Sequence, residues 1–324
     1  MNSVLGIDVA KLKFDAALLQ DGKLQHKVFN NNKEGFIELS KFLAKEKVTQ
    51  LHACLESTGI YGQALAIFLY QAGVKVSVVN PARVQAFAKS LMSRNKTDKQ
   101  DAALIAQFCF SLKPEAWTPA SAEVSQLQAL VRRMDDLTQL HQQEVNRLES
   151  AIKSEAVAIS IKKIVELLSQ EIESIGNLIA QHIDNNTTLK EQKELLTSIP
   201  GIGDTTAALF LSEVLDIKAY PSVRQLDAYA GVTPKQHISG SSVKRVTPVS
   251  RLGNSKLRKA FYFPAIVAKR CNPIVKAFCE RLSKKGKPKM VVIVAAIRKL
   301  LHLAYGVLKT GKAFDPNYLE IAQV

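Results

Sequence analysis

The chain has 324 residues, 47% hydrophobic and 23% charged, a length for two or three domains and a composition that excludes a disordered polymer. Its 44 Lys and Arg against 29 Asp and Glu leave a net charge of +15, which points to a polyanionic partner. A membrane is not the expected partner: MNSVLGIDVAKLKFD does not read as a signal peptide, and the most apolar stretch, residues 290–308, is broken by Arg298, Lys299 and His302.

In chain order, VLGIDVAK reads as an apolar strand with a polar end. FDAALLQDGKLQHKVF alternates around Asp21-Gly22, which predicts a hairpin. Residues 33–46 have helical spacing, with Phe36, Leu39 and Phe42 or Leu43 on one face. LHACLE is a strand ending at Glu56, GIYGQALAIFLYQAG a helix ending at Gly73, and VKVSVVN a strand stopped by Pro81. Strands alternating with helices after a hairpin predict a mixed α/β sheet, a pattern that suits a ribonuclease-H-like fold.

From Val124 to about Ile183 there is no Pro and a single Gly, Gly176. Leu127, Val131, Met134, Leu137, His141, Val145, Leu148 and Ile152 step by three or four, as do Ile161, Ile164, Leu168, Ile172, Ile175 and Ile179. Narrow stripes of this kind predict a coiled coil or helical hairpin, serving either as an intramolecular bundle or as a dimerisation arm. Residues 235–314 then hold 19 Lys or Arg against one acid, Glu280, a net +18 that marks a polyanion-binding face. The four cysteines form no C-x-x-C pair and are expected to be reduced core thiols of a cytoplasmic protein.

Four carboxylates carry the chemistry. Asp8 and Glu56 end predicted strands, and strand ends on one edge of an α/β sheet are where ligands bind. Asp98 and Asp101 lie three apart in RNKTDKQDAALIAQF, on one face of a helix beginning near Thr97, which with Gln100 can form a capping box. Convergence of the four predicts a divalent-metal site for phosphoryl transfer, with Mg2+ or Mn2+ as cofactor. The competing reading is four unrelated surface acids.

In LLTSIPGIGDTTAALFLSEV, two apolar helices flank Pro200-Gly201-Ile202-Gly203, similar to a helix-hairpin-helix unit. Gly201 and Gly203 would let the backbone approach a phosphate; a plain αα turn is the alternative. Ser239, Ser241 and Ser242 lie in SGSSV with Lys244, Arg245 and Arg251 nearby. A serine hydroxyl there can attack phosphorus, though by composition the stretch also suits a flexible loop. Arg258, Lys259, Lys269 and Arg270 surround an apolar helical face, where core packing of Phe261, Tyr262 and Phe263 competes with base stacking.

Taken together and in order, GIDVAK, LESTGIYG, VVNP, RNKTDKQDA, SIPGIG, AGVTP, SGSSV and LRKAFYFPA resemble the DEDD transposases of insertion-sequence family one-hundred-and-ten, the bridge-RNA-guided recombinases, across residues 5–315. The resemblance implies a RuvC-like N-terminal domain over 1–120, a helical coiled-coil region over 121–190 and a mainly helical transposase domain over 191–324. It places Asp8, Glu56, Asp98 and Asp101 as Mg2+ ligands and Ser239 as the catalytic serine, with Ser241 and Ser242 the alternatives. It further implies single-strand cuts through a 5′-phosphoserine link, target and donor DNA as substrates, and a structured noncoding guide RNA as partner. A homodimer or tetramer, with each site shared between protomers, and a bacterial cytoplasmic, nucleoid-associated setting also follow from it. Two other functions compete: a Holliday-junction-type metal-dependent nuclease without a serine step, and a non-catalytic nucleic-acid architectural protein.

Overall fold

The computed structural model describes residues 2–57, 59, 61–91, 97–150, 154–234, 238–239, 243–244, 249–250 and 252–317, with backbone alone for 2, 238–239 and 243–244. Ser241, Ser242, Arg245 and Arg251 lie outside the described residues, as do the side chains of Ser239 and Lys244. The chain divides into two units, Met1–Pro119 and Ala120–Val324.

The first unit begins with three antiparallel strands, β1 (Asn2–Val9), β2 (Lys13–Gln20) and β3 (Lys23–Asn30). Asp21 (φ 51°) and Gly22 (φ 78°) both take positive φ, the geometry of a two-residue turn whose twist matches the flanking strands. Helix α1 (Lys33–Lys45) starts where Asn32 accepts a hydrogen bond from the Gly35 amide at 2.9 Å, a side-chain N-cap. Strand β4 (Gln50–Glu56) then pairs parallel with β1, and after helix α2 (Gln63–Gln71), β5 (Lys75–Val79) pairs parallel with β4.

Pro81 does stop β5, but it also occupies the first turn of a helix that sequence reading leaves unassigned, α3 (Pro81–Ser90), capped by Asn80. Helix α4 (Asp98–Leu112) completes the unit. The sheet order β3-β2-β1-β4-β5, antiparallel from β3 to β1 and parallel from β1 to β5, makes this a mixed α/β domain, as the alternation of strands and helices predicts. One sheet face buries Leu5, Ile7, Phe14, Leu18 and Leu55 against residues of α1 and α2. The other buries Val4, Ala17, Cys54 and Val79 against α4 and α3. Each fully buried large side chain contributes roughly 1.5–3 kcal/mol.

The second unit opens with paired helices α5 (Ala122–Ser150) and α6 (Glu155–Asp184). Most of the predicted apolar stripe is at least half-buried, but Ile164 is exposed and Val165 takes its place in the seam. Helices α7 (Thr187–Thr197), α8 (Asp204–Glu213) and α9 (Val223–Ala230) follow. A short hairpin, β6 (Ile238–Ser239) and β7 (Val243–Lys244), precedes α10 (Ser255–Ala260), α11 (Tyr262–Cys271), α12 (Pro273–Lys284) and α13 (Lys289–Thr310). By length and composition α13 could cross a membrane. Here it is a core helix, burying Val292, Ala296, Ile297, Leu300, Leu301, Ala304 and Val307 among residues of α7 to α12.

Candidate active site and nucleic-acid interface

In the first unit the register of the strands sets the acids side by side. Ile7 pairs with Leu55, so Asp8 and Glu56 stand next to one another at the ends of parallel neighbours. Period-two alternation puts Asp8 on the face of Gly6 and Glu56 on the face of Cys54. That is the α4 face. A Cβ on Gly6 would lie 2.2 Å from both the Ala102 oxygen and the Ala106 nitrogen, so glycine is what lets α4 lie directly on β1.

Helix α4 begins as the sequence predicts. Thr97 caps it, its hydroxyl accepting from the Gln100 amide at 3.3 Å, and Asp98 and Asp101 occupy the first turn, where the helix dipole favours carboxylates. The fold therefore delivers two strand-end acids and two helix-start acids to one sheet face. Asp8 and Glu56 each have interaction partners of their own. Among the described residues, no three His, Cys, Asp or Glu side chains are gathered closely enough to hold an ion. The set offers only hard carboxylate oxygens, the donors Mg2+ and Mn2+ prefer.

What sequence patterning does not single out is the counter-charge. Lys13 donates to Asp98 at 2.9 Å and to Asp15 at 3.4 Å. Its hydrogen bond and charge hold the Asp98 carboxyl below the usual range, and donating to Asp98 in turn raises the Lys13 ammonium. Asp15 faces Asp8 across the β1–β2 pair, is buried, and accepts from His26 Nε2 at 2.7 Å. The available signal is Asp15 itself, a carboxylate inside the apolar run from Phe14 to Leu19 of KFDAALLQ.

In the second unit, the glycine turn between α7 and α8 has an internal reason for its first glycine. Gly201 has φ 105°, and a Cβ there would meet the Ala268 Cβ at 2.7 Å. Gly203 precedes α8 in open space, with Asp204 in that helix's first turn and Lys193 at 3.4 Å from it.

The serine hairpin is pinned at its base. Pro234 bridges Val249, the Ser250 amide donates to the Thr233 carbonyl at 2.9 Å, and Ser239 pairs with Val243. Just beyond, Gly253 (φ 144°) lies so close to α9 that a Cβ would meet the Tyr229 oxygen at 2.4 Å. Asn254 caps α10 and donates to Glu213 and to the Tyr229 hydroxyl, tying this corner to α8 and α9.

Beside that base runs an open groove of about 1610 Å3, bordered by Val232, Pro234 and Val249. Lys256, Arg258, Lys259, Arg298, Lys299 and His302 line it. Arg258 donates to the Ala230 carbonyl at 3.1 Å, which fixes its direction. Burial, then repulsion from Arg281, pushes the Lys299 ammonium down. The aromatic run divides: Phe261 is buried against Phe210, whereas Phe263 is 73% exposed and lines the groove with Tyr262.

Residues 5–155 match the description of the DEDD transposases of IS110 type, and residues 193–280 match that of the IS116/IS110/IS902 transposase family. The chain is 34% identical over 323 residues to the pilin gene-inverting protein of Moraxella lacunata, covering 98% of each. It is 24% identical over 285 residues to the transposase for insertion sequence element IS1111A of Coxiella burnetii, covering 79% of this chain and 74% of that one. T. thermophilus RuvC in complex with Holliday junction substrate aligns over 35% of this chain and 96% of its own, at TM-score 0.27 and 16% identity. By its family match and its full-length relative, the chain belongs to the IS110 family of DEDD transposases, which cleave and rejoin DNA.

Proposed function

We propose that the chain is the recombinase of an insertion sequence, joining itself covalently to DNA through Ser239 and working under a structured guide RNA. Asp8, Glu56, Asp98 and Asp101 would hold the divalent ions. When bound, Mg2+ or Mn2+ would offset negative charge growing on the phosphate oxygens. The observation that carries the reading is the placement of those acids: adjacent ends of β1 and β4 and the first turn of α4, all on one sheet face.

In the reaction, the Ser239 oxygen forms a bond to phosphorus while the bond to the 3′ oxygen breaks. The serine proton leaves with that 3′ oxygen as a hydroxyl, and a 5′-phosphoserine remains. Attack by the 3′ hydroxyl of another strand reverses the step, restores the serine and rejoins the DNA. The cations of the C-terminal region favour the pentacovalent transition state and the strand itself. Sequence choice would lie with RNA pairing, since contacts to phosphates carry no sequence information.

A homo-oligomer fits the apolar residues left uncovered on the paired helices, among them Leu140, Ile159, Leu167 and Leu178. Residues 121–190 would then form a helical dimerisation region beside a transposase domain over 191–324. The function is tested by trapping protein on 3′-labelled DNA, whose label stays on the fragment joined through its 5′ phosphate, with the element's RNA and Mg2+, then sequencing the labelled peptide. Label on Ser239 is expected. Label on Ser241 or Ser242 would move the nucleophile, and DNA cut with no covalent protein would favour a metal-activated water instead.

A further inference from the structure

Arg298, Lys299 and His302 break the apolar run of α13, and neither the sheet acids nor Ser239 account for them. In the structure two of them converge on one buried acid. Asp227, on α9, has a side chain 1% exposed; Arg298 Nε donates to it at 2.7 Å and His302 Nε2 lies at 2.9 Å. Arg298 and His302 are each about one-third exposed, at 34% and 33%, and both line the groove beside the serine hairpin.

The geometry divides the labour within each cation. Asp227 takes Nε of Arg298, and the two terminal amino groups, which carry most of the guanidinium's hydrogen-bonding capacity, lie outside that bond. It takes Nε2 of His302, and Nδ1 lies outside that bond. A carboxylate that binds one edge of a guanidinium fixes the plane of the rest, and a guanidinium fork so held suits a phosphate. A pairing that served only to join α9 to α13 would not need side chains that also line an open groove.

The neighbours agree. Lys256, Lys259 and Lys299 line the same groove, and exposed Phe263 offers a ring face on which a base can stack. An uninterrupted cluster of cations would repel itself; Lys299, pressed by burial and by Arg281, is already under that strain.

We infer that Arg298 and His302, oriented by Asp227, form a phosphate-holding site for a single DNA strand in the groove beside the serine hairpin. The choice of DNA as the polyanion rests on the function proposed above. The site is one of positioning: it fixes the strand's backbone and takes no part in bond making.

The test uses the full chain and a mixed-sequence single-stranded DNA 20-mer, and it reads binding without chemistry. An arginine-selective dicarbonyl is applied with and without the oligonucleotide, and modified peptides are quantified. Arg298 is expected to react in the free protein and to be protected by the DNA; equal modification in both would overturn the site.

Two variants sharpen the result. Arg298→Gln should lower the slope of log affinity against log salt by about 0.7, the value for one lost phosphate contact on a single strand; an unchanged slope would overturn the assignment. Asp227→Asn removes a negative charge from beside the groove, so attraction by net charge alone predicts tighter binding. Orientation by Asp227 predicts weaker binding, and tighter or equal binding would refute it. If either variant fails to fold, the footprint on the unaltered chain decides. Failure here leaves the covalent-adduct experiment untouched, so the two proposals stand or fall separately.

Discussion

The acidic edge of the first unit and the basic groove of the second solve the same electrostatic problem with opposite signs. At the sheet edge, acids are brought onto one face and the counter-charge beside Asp98 and Asp15 is Lys13, whose side chain is 47% exposed. In the groove, cations are brought together and the counter-charge is Asp227, buried and held by two partners. The difference lies in how replaceable each partner is. An exposed ammonium on a flexible stem can leave when a metal ion arrives, at little cost. A buried carboxylate cannot leave, so it fixes the direction of whatever pairs with it. The acidic edge is suited to exchanging cations, the groove to holding a strand.

Four substitutions break or sharpen that contrast. The largest effect is expected at the acids themselves. Asp8→Asn should lower DNA cleavage on the order of 10³-fold, equivalent to several kcal/mol of lost charge stabilisation, with the melting curve kept. Normal cleavage by this variant would remove Asp8 from the site. Next is Gly6→Ala. Its methyl meets backbone, not a side chain that can swing away, so α4 must shift. Urea unfolding should show a loss of about 3 kcal/mol, at the upper end for overpacking, and cleavage should fall because Asp98 and Asp101 move with the helix.

Smaller effects separate the two counter-charges. Arg298→Met leaves the buried Asp227 with His302 alone and should cost about 1–3 kcal/mol in urea unfolding. Lys13→Met should leave the melting temperature essentially where it is and shift cleavage to lower Mg2+ concentrations. If the two substitutions destabilise equally, the distinction between a replaceable and a fixed partner is lost.

Much of this was readable locally. Asp21-Gly22 announces its turn because positive φ favours those residues, and Thr97 announces α4 because a cap is a contact between near neighbours. The acids were legible for the same reason: each ends or begins an element whose period shows in the sequence. Helix α3 was not, since Pro81 reads equally as the end of a strand and the first turn of a helix. Lys13 with Asp98, and Asp227 with Arg298 and His302, are 85, 71 and 75 residues apart in sequence. Those pairings depend on packing between distant elements, and no local pattern encodes them. Gly201 shows the converse: its glycine is visible in the sequence, but its close approach to Ala268 is visible only in the fold.

The central claim is that a serine in the second unit makes the covalent bond and the acids of the first unit assist it. The most direct measurement incubates 3′-labelled DNA, the element's RNA and Mg2+ with the unaltered chain, with Ser239→Ala and with Asp8→Asn, and separates covalent adducts on a denaturing gel. An adduct in the unaltered chain alone is the predicted result; an adduct of undiminished yield in Ser239→Ala would contradict it.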